Sequence, residues 1–309
     1  LTAAGDKEAV RQAQEIARRG LDVTGDNADL MNVLALSEAR LGRPEEAERR
    51  FHETLARFPG DLGAVAGVAR MRLQQNDFAG AEAVLTEAAS MRPPPVPVIL
   101  ALGELYVRTN RYDEARARFN EALGLEPGSA AALIGLADLS VREGKLDEAG
   151  ALLKRVAASG SSPYRLLYPA FLFGTGRQQE AIAEFQALVR RDPKDREART
   201  QLVIALVRAG RRGEALEILN EALRRNARDN EALLQRAGLA AGSGEVEAAQ
   251  RDLDQLSRLD SGSPVVRFLQ GKLHSLRGEP ARAEQQYAEA IKANPHFLAA
   301  RLALADVML

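Results

Sequence analysis

The 309-residue sequence contains no cysteine and no tryptophan. Without thiols there can be no disulfide, no thiolate zinc site and no cysteine nucleophile, and the redox compartment stays open. Nine phenylalanines and five tyrosines are the only aromatic residues, and three histidines, His52, His274 and His296, lie far apart without metal-ligand spacing. No charge of one sign dominates: 42 cationic and 43 anionic residues leave a net charge of −1. Such a balance gives no long-range field for phosphate backbones or anionic lipid, which argues against a nucleic-acid partner. No apolar run approaches the ~20 residues that span a bilayer, and the opening residues do not form a signal peptide. Because the chain begins without Met, it reads as a segment of a longer protein. The shortage of lysine, six against 36 arginines, with abundant alanine, hints at a GC-rich bacterial genome.

What is present is a period. Alanine returns at Ala47, Ala81, Ala115, Ala149, Ala181, Ala215, Ala249 and Ala283, every 34 residues except for one gap of 32. A period in this range marks stacked supersecondary units, none able to bury its apolar face alone. In residues 96–129, Ile99, Leu102, Gly103 and Tyr106 keep helical spacing up to Asn110, and a second helical run carries Ala115, Phe119 and Ala122 before Pro127. The unit is therefore helix, turn, helix. The Asn110 position is Asn76 or glycine elsewhere (Gly42, Gly144, Gly176, Gly210, Gly244, Gly278), residues that accept the left-handed conformation of a tight turn. Pro59, Pro93, Pro127, Pro193 and Pro295 close the unit, and Asn27, Asp61, Ser129, Asp195, Asp229 and Ser263 are expected to cap the helix that follows. Acidic pairs such as Glu45 and Glu46, Asp113 and Glu114, and Asp147 and Glu148 open the second helices. Small residues on the first helix (Ala35, Ala69, Gly103, Ala137, Ala237, Gly271) face the recurring alanines, with larger fillers Phe51, Leu85, Phe119, Leu153, Phe185, Leu219, Leu253 and Tyr287 between.

On these residues the chain resembles the tetratricopeptide repeat family. The resemblance covers eight units, 28–61, 62–95, 96–129, 130–161, 162–195, 196–229, 230–263 and 264–297, with a partial repeat over 1–27 and a first helix of a further repeat over 298–309. Met31, Val65, Ile99 and Leu133 stand where the family carries tryptophan. The resemblance implies an all-α fold, a right-handed α-solenoid whose concave face binds peptides or proteins without catalysis. Both ends lack the polar caps that solenoids need, so further repeats or another domain are expected beyond at least the C-terminal end.

Two places are irregular. Unit 162–195 follows the two-residue deletion, carries Pro169 inside its first helix, where a kink is expected, and gathers Tyr164, Tyr168, Phe171 and Phe173. These rings either anchor a partner or fill the space left by a shortened loop. Pro93, Pro94, Pro95 and Pro97 form a stiff connector, read as a rigid corner rather than a proline-motif ligand.

Chemistry is not encoded. Gly144 and Lys145 lack the rest of a phosphate-binding loop, Gly242 and Gly244 end a helix, and paired carboxylates sit where helix starts account for them. No catalytic residue, cofactor or metal is expected. Transferred by the repeat frame, the family's inward positions give one line, Asn32, Ala66, Leu100, Ile134, Leu166, Thr200, Leu234 and Phe268, and a second, Ala39, Leu73, Val107, Val141, Phe173, Val207, Ala241 and Ser275. The expected partner-binding set is Leu100, Val107, Ile134, Val141, Leu166, Phe173, Val207 and Phe268, an aliphatic strip suited to an amphipathic helix or apolar peptide. The other reading is that these residues pack against adjacent repeats. Arg40, Arg70, Arg108, Arg142 and Arg208 flank the strip, either as a basic edge for acidic partners or as cations complementing helix ends. The lysine and asparagine clamp with which some family members hold a carboxylate is absent, and Asn32 alone cannot form it.

The sequence therefore reads as a non-enzymatic interaction scaffold. Arrays rich in alanine, leucine and arginine resemble scaffolds of bacterial exopolysaccharide synthesis and export machinery, which favours periplasm or envelope over cytoplasm. The alternatives are a substrate-recruiting region of a larger enzyme, such as a glycosyltransferase or protease, and a cytosolic chaperone-like adaptor.

Overall fold

Hydrophobic spacing in the sequence changes from one helical run to the next at each left-handed turn residue, and the structure breaks its helices at those places. A computed structural model describes residues 3–158, 162–259 and 262–309. Among these residues there are helices and no strands. Two compact units divide between Tyr168 and Pro169.

The first unit contains α1 (Ala3–Thr24), α2 (Ala28–Arg40), α3 (Pro44–Arg57), α4 (Leu62–Gln74), α5 (Phe78–Ala89), α6 (Val96–Arg108), α7 (Tyr112–Leu125), α8 (Ala130–Arg142) and α9 (Leu146–Ala158). The pairs α2 and α3, α4 and α5, α6 and α7, and α8 and α9 are hairpins, and each hairpin packs on the next. A helix α10 (Leu167–Gly174) crosses into the second unit, which continues with α11 (Gln178–Arg191), α12 (Arg196–Arg208), α13 (Arg212–Arg225), α14 (Asn230–Gly242), α15 (Val246–Leu259), α16 (Pro264–Leu276), α17 (Pro280–Ala293) and α18 (Leu298–Met308).

The eight recurring alanines are each 0 % exposed. They sit where the two helices of a hairpin come closest, and the fillers one turn further on complete the layer: Phe51, Phe119, Phe185, Leu219 and Leu253 are at most 2 % exposed. Ring size is matched by glycine. A Cβ added to Gly103 would lie 2.6 Å from the Phe119 ring, and one on Gly271 would lie 2.6 Å from Tyr287. The inter-helix turns take positive φ throughout, including non-glycine Asn76 and Asn110 at 59°.

Two expectations are corrected. Asn27, Asp61, Asp195 and Asp229 accept hydrogen bonds from the backbone N–H groups of Leu30, Ala64, Ala198 and Ala232, but Ser129 and Ser263 make no such bond. Ser129 and Ser263 keep the backbone of a cap, with φ −59° and −61°, but neither hydroxyl is turned onto an N–H of the first turn. Pro169 does not kink a helix. A 3₁₀ turn occupies Ser162–Tyr164 and α10 begins only at Leu167, so Pro169 falls in the first turn, where a backbone N–H has no helical partner to lose. Residues 159–161, where the shortened fourth unit joins the fifth, lie outside the described residues.

Candidate functional site

Each first helix offers one face to its hairpin partner and another away from it, and the residues of the two predicted lines divide between packing and surface. In the first unit Leu100, Ile134, Val107 and Leu166 are half-buried, Ala66 is exposed, and Val141 is 42 % exposed. Leu100 and Val107 pack against the core cluster around Ile99, Leu102 and Phe119. Asn32 is buried, its amide donating to Asp61 Oδ1 at 2.7 Å, which fixes the start of α4. Ala39 and Leu73 are half-buried.

In the second unit Val207 is 38 % exposed and Phe173 half-buried, while Ala241 is closed off at 1 % and Ser275 is exposed. Phe268 turns toward its own hairpin, with ring centroids 5.8 Å from Tyr287 and 5.3 Å from Phe297. Leu234 packs on the core, and Thr200 accepts a hydrogen bond from Gln235 Nε2 at 2.7 Å while that same amide donates to Glu231 at 2.9 Å. The first line thus serves packing as well as surface, and the second emerges at Val141 and Val207. Ile204, 40 % exposed and one turn before Val207 on α12, extends the apolar surface. Taking only two positions per helix overlooks it, although its spacing of three from Val207 is a helical-face signal.

All five arginines of the predicted edge are exposed. Three are organised: the guanidinium of Arg108 lies 5.6 Å from the Phe78 ring, that of Arg142 6.0 Å from Tyr112, and that of Arg208 5.3 Å from Phe173. In each case the ring belongs to the preceding hairpin, so the cation bridges two repeats, an exposed contact of about 0.5–1 kcal/mol. Arg142 also donates to Asp138 Oδ2 at 2.7 Å, which raises its pKa. Arg40 and Arg70 have no ion-pair partner among the described residues.

On the turn side, charges are used to join repeats. Glu82 of α5 accepts from Tyr106 Oη at 2.9 Å and from Arg111 Nη1 at 2.7 Å, and the Arg111 hydrogen bond holds its carboxyl below the usual carboxylate range. Arg116 reaches Glu143 at 2.7 Å and Arg212 reaches Glu245 at 2.7 Å in the same manner. Among the described residues no group of three or more His, Asp or Glu is placed to hold a metal ion, and no helix is long and apolar enough to cross a membrane. His274 instead pairs its Nδ1 with Glu279 at 2.7 Å.

Stacked helical hairpins with small residues at every crossing and a side-chain-bearing first-helix face define a helical repeat scaffold. A tetratricopeptide repeat family model matches residues 32–94, 100–163, 200–264 and 268–309, and a second such model matches 72–123. The chain belongs to the tetratricopeptide repeat family. A bacterial transcriptional activator domain model matches residues 167–229. No curated protein matches the sequence. Among solved structures, a tetratricopeptide repeat protein from Parabacteroides merdae is 18% identical, covering 79% of this chain and 98% of that one, with a TM-score of 0.46. A thermophilic tetratricopeptide repeat protein of Thermus thermophilus, TTC0263, is 25% identical, covering 69% and 99%, at 0.37. YrrB, described as having an unusual peptide-binding site, is 18% identical, covering 71% and 96%, at 0.32.

Proposed function

We propose that the chain is a non-enzymatic scaffold that binds a protein or peptide partner on its first-helix, concave face. The observation that supports this most directly is the exposure of Val141 and Val207, with Ile204, on a first-helix face where Leu100, Val107, Ile134 and Phe173 are half-buried. Exposed aliphatic side chains beside arginines suit an amphipathic segment with acidic flanks. In the first unit the binding set is Leu100, Val107, Ile134, Val141 and Leu166; in the second it is Phe173, Val207 and Phe268.

The test is pull-down with the chain carrying Leu100→Asp, Ile134→Asp and Val141→Asp together. Loss of partner recovery of about tenfold or more, with the helical circular dichroism of wild type, is expected; undiminished recovery by the folded variant would remove the reading. The finer placement, in bacterial exopolysaccharide synthesis or export machinery, rests on the alanine-, leucine- and arginine-rich composition. Fractionation of the native protein tests it: recovery with the cytosol, away from the envelope, goes against that placement and leaves the scaffold reading standing.

A further inference from the structure

We propose that the segment taken up by the first-helix face of the first unit carries a lysine or arginine that pairs with Glu104, with aliphatic residues on either side of that cation and an acidic residue toward Arg70. The inference rests on the groove reading above and adds the sign and order of charge that the partner must present.

Position within the strip carries the argument. Glu104 on α6 stands four residues after Leu100 and three before Val107, so it lies between them on one helical face. It is exposed, and its carboxylate has no hydrogen-bond or ion-pair partner among the described residues. A segment that covers Leu100 and Val107 therefore covers Glu104 as well. Taking an unpaired carboxylate out of water is strongly unfavourable, so an occupant that closes on this strip has to bring its own cation to that place. A purely aliphatic or an acidic segment is turned away.

The next repeat supplies the contrast. Asp138 holds the same repeat position on α8, between Ile134 and Val141, yet it already accepts from Arg142 Nε at 2.7 Å. The corresponding arginine of α6, Arg108, is drawn the other way, its guanidinium 5.6 Å from the Phe78 ring, and leaves Glu104 uncompensated. The chain thus provides its own cation at one of two equivalent places and withholds it at the other.

The preceding repeat fixes the order of charge. Arg70 holds that repeat position on α4, is exposed, and has no ion-pair partner among the described residues. Along this line of positions Arg70 is a free cation, Glu104 a free anion, and Asp138 already paired. Complementarity then asks for acidic, basic and aliphatic residues in the occupant in that order, which sets its direction as well as its composition.

The experiment is selection of a phage-displayed library of random peptides on the immobilised full chain, followed by fluorescence anisotropy on the synthesised peptides. Wild type is expected to enrich a basic residue flanked by aliphatic ones, and Glu104→Arg to enrich an acidic residue at that same place. Peptides selected on wild type should bind Glu104→Arg about tenfold or more weakly, and Arg70→Glu more weakly where they carry the acidic residue. Glu53→Arg, the same change of charge at an exposed position of α3, should leave affinity within about twofold, which separates pairing at the face from a change in overall charge. Glu104 and Arg70 are both exposed, so these variants should keep wild-type helicity. Leu100→Asn, Ile134→Asn and Val141→Asn together alter the strip without altering charge. Binding lost in that folded triple variant but undiminished in Glu104→Arg, or selected peptides with no basic preference, would overturn the charge pairing and leave the groove reading standing. Peptides that bind the triple variant as well as wild type, or a library from which none is retained, would remove both.

Discussion

Phe119→Ala is expected to destabilise the first unit by about 3–5 kcal/mol, the range for emptying a well-packed aromatic site. The ring is 2 % exposed and fills the space between its own hairpin and the next, close enough to Gly103 and Gly135 that a Cβ on either would lie 2.5–2.6 Å from it. Neighbours stripped of side chains cannot relax into the vacated volume, which places the cost toward the upper end. Equilibrium urea denaturation followed by circular dichroism measures the loss, and hydrogen exchange should localise it to α6, α7 and α8 while α12 to α17 keep their protection. A companion change has the opposite cause. Gly103→Ala adds one methyl against the ring and should cost about 1–3 kcal/mol by overpacking, despite the better helix propensity of alanine. Combining it with Phe119→Leu recreates the alanine and leucine found at the same two positions in units 62–95 and 230–263, and should recover most of that loss. If Gly103→Ala stabilises the wild-type chain, the glycine is not there for the ring.

The features legible in the sequence are those enforced at every repeat. A side chain larger than alanine at the hairpin crossing would separate the helices, so the eight alanines keep their period and all prove fully buried. The left-handed turn likewise admits few residues, and Asn76 and Asn110 substitute for glycine there with the φ that asparagine tolerates. Features that depend on one unit's local geometry were not legible. Proline at position 169 signals an interrupted helix, but whether the helix bends or starts late depends on where its first turn falls, and the two-residue deletion moves that point. Serine and aspartate are both good caps by composition, yet only the aspartates reach a backbone N–H here.

The candidate face was legible in outline only. A repeat frame assigns each residue a side of its helix; it does not say how closely neighbouring helices approach. Hence Val141 and Val207 share a repeat position with Ala241, and the first two are exposed while the third is 1 % exposed. Phe268 points from an inward position, but Phe297 of the following loop draws its ring aside. The arginines illustrate the same limit. Their place in the last turn of a first helix follows from the frame, whereas their stacking on Phe78, Tyr112 and Phe173 requires an aromatic at the right place in the preceding hairpin.

A charged residue at a core position escapes a pattern that counts only small and apolar side chains, and Arg199 is such a residue. Where other units bury Met31, Val65, Ile99, Leu133 and Leu233, α12 buries an arginine 3 % exposed, its Nη2 3.0 Å from Asp229 Oδ2. Asp229, itself 4 % exposed, also receives the Ala232 N–H at 3.2 Å and so starts α14. Asp229→Ala would remove the helix cap and leave the guanidinium buried without its counter-charge, and is expected to cost about 3–5 kcal/mol. Arg199→Leu should cost less, because the remaining carboxylate keeps the Ala232 N–H and has exposed Arg196 at 3.7 Å. The double change Arg199→Leu with Asp229→Ser gives an aliphatic residue and a serine, as Ile99 and Ser129 stand at the same two positions of unit 96–129. It should fall within about 1 kcal/mol of wild type or above it, since a buried ion pair seldom outperforms a well-packed apolar pair of similar volume. Urea denaturation of wild type and these three variants, with Asp229→Ser alone to close the cycle, measures the differences directly. Should Asp229→Ala prove nearly neutral, or the double variant prove as unstable as Asp229→Ala alone, the arginine is reaching water and the pair does not hold α12 to α14.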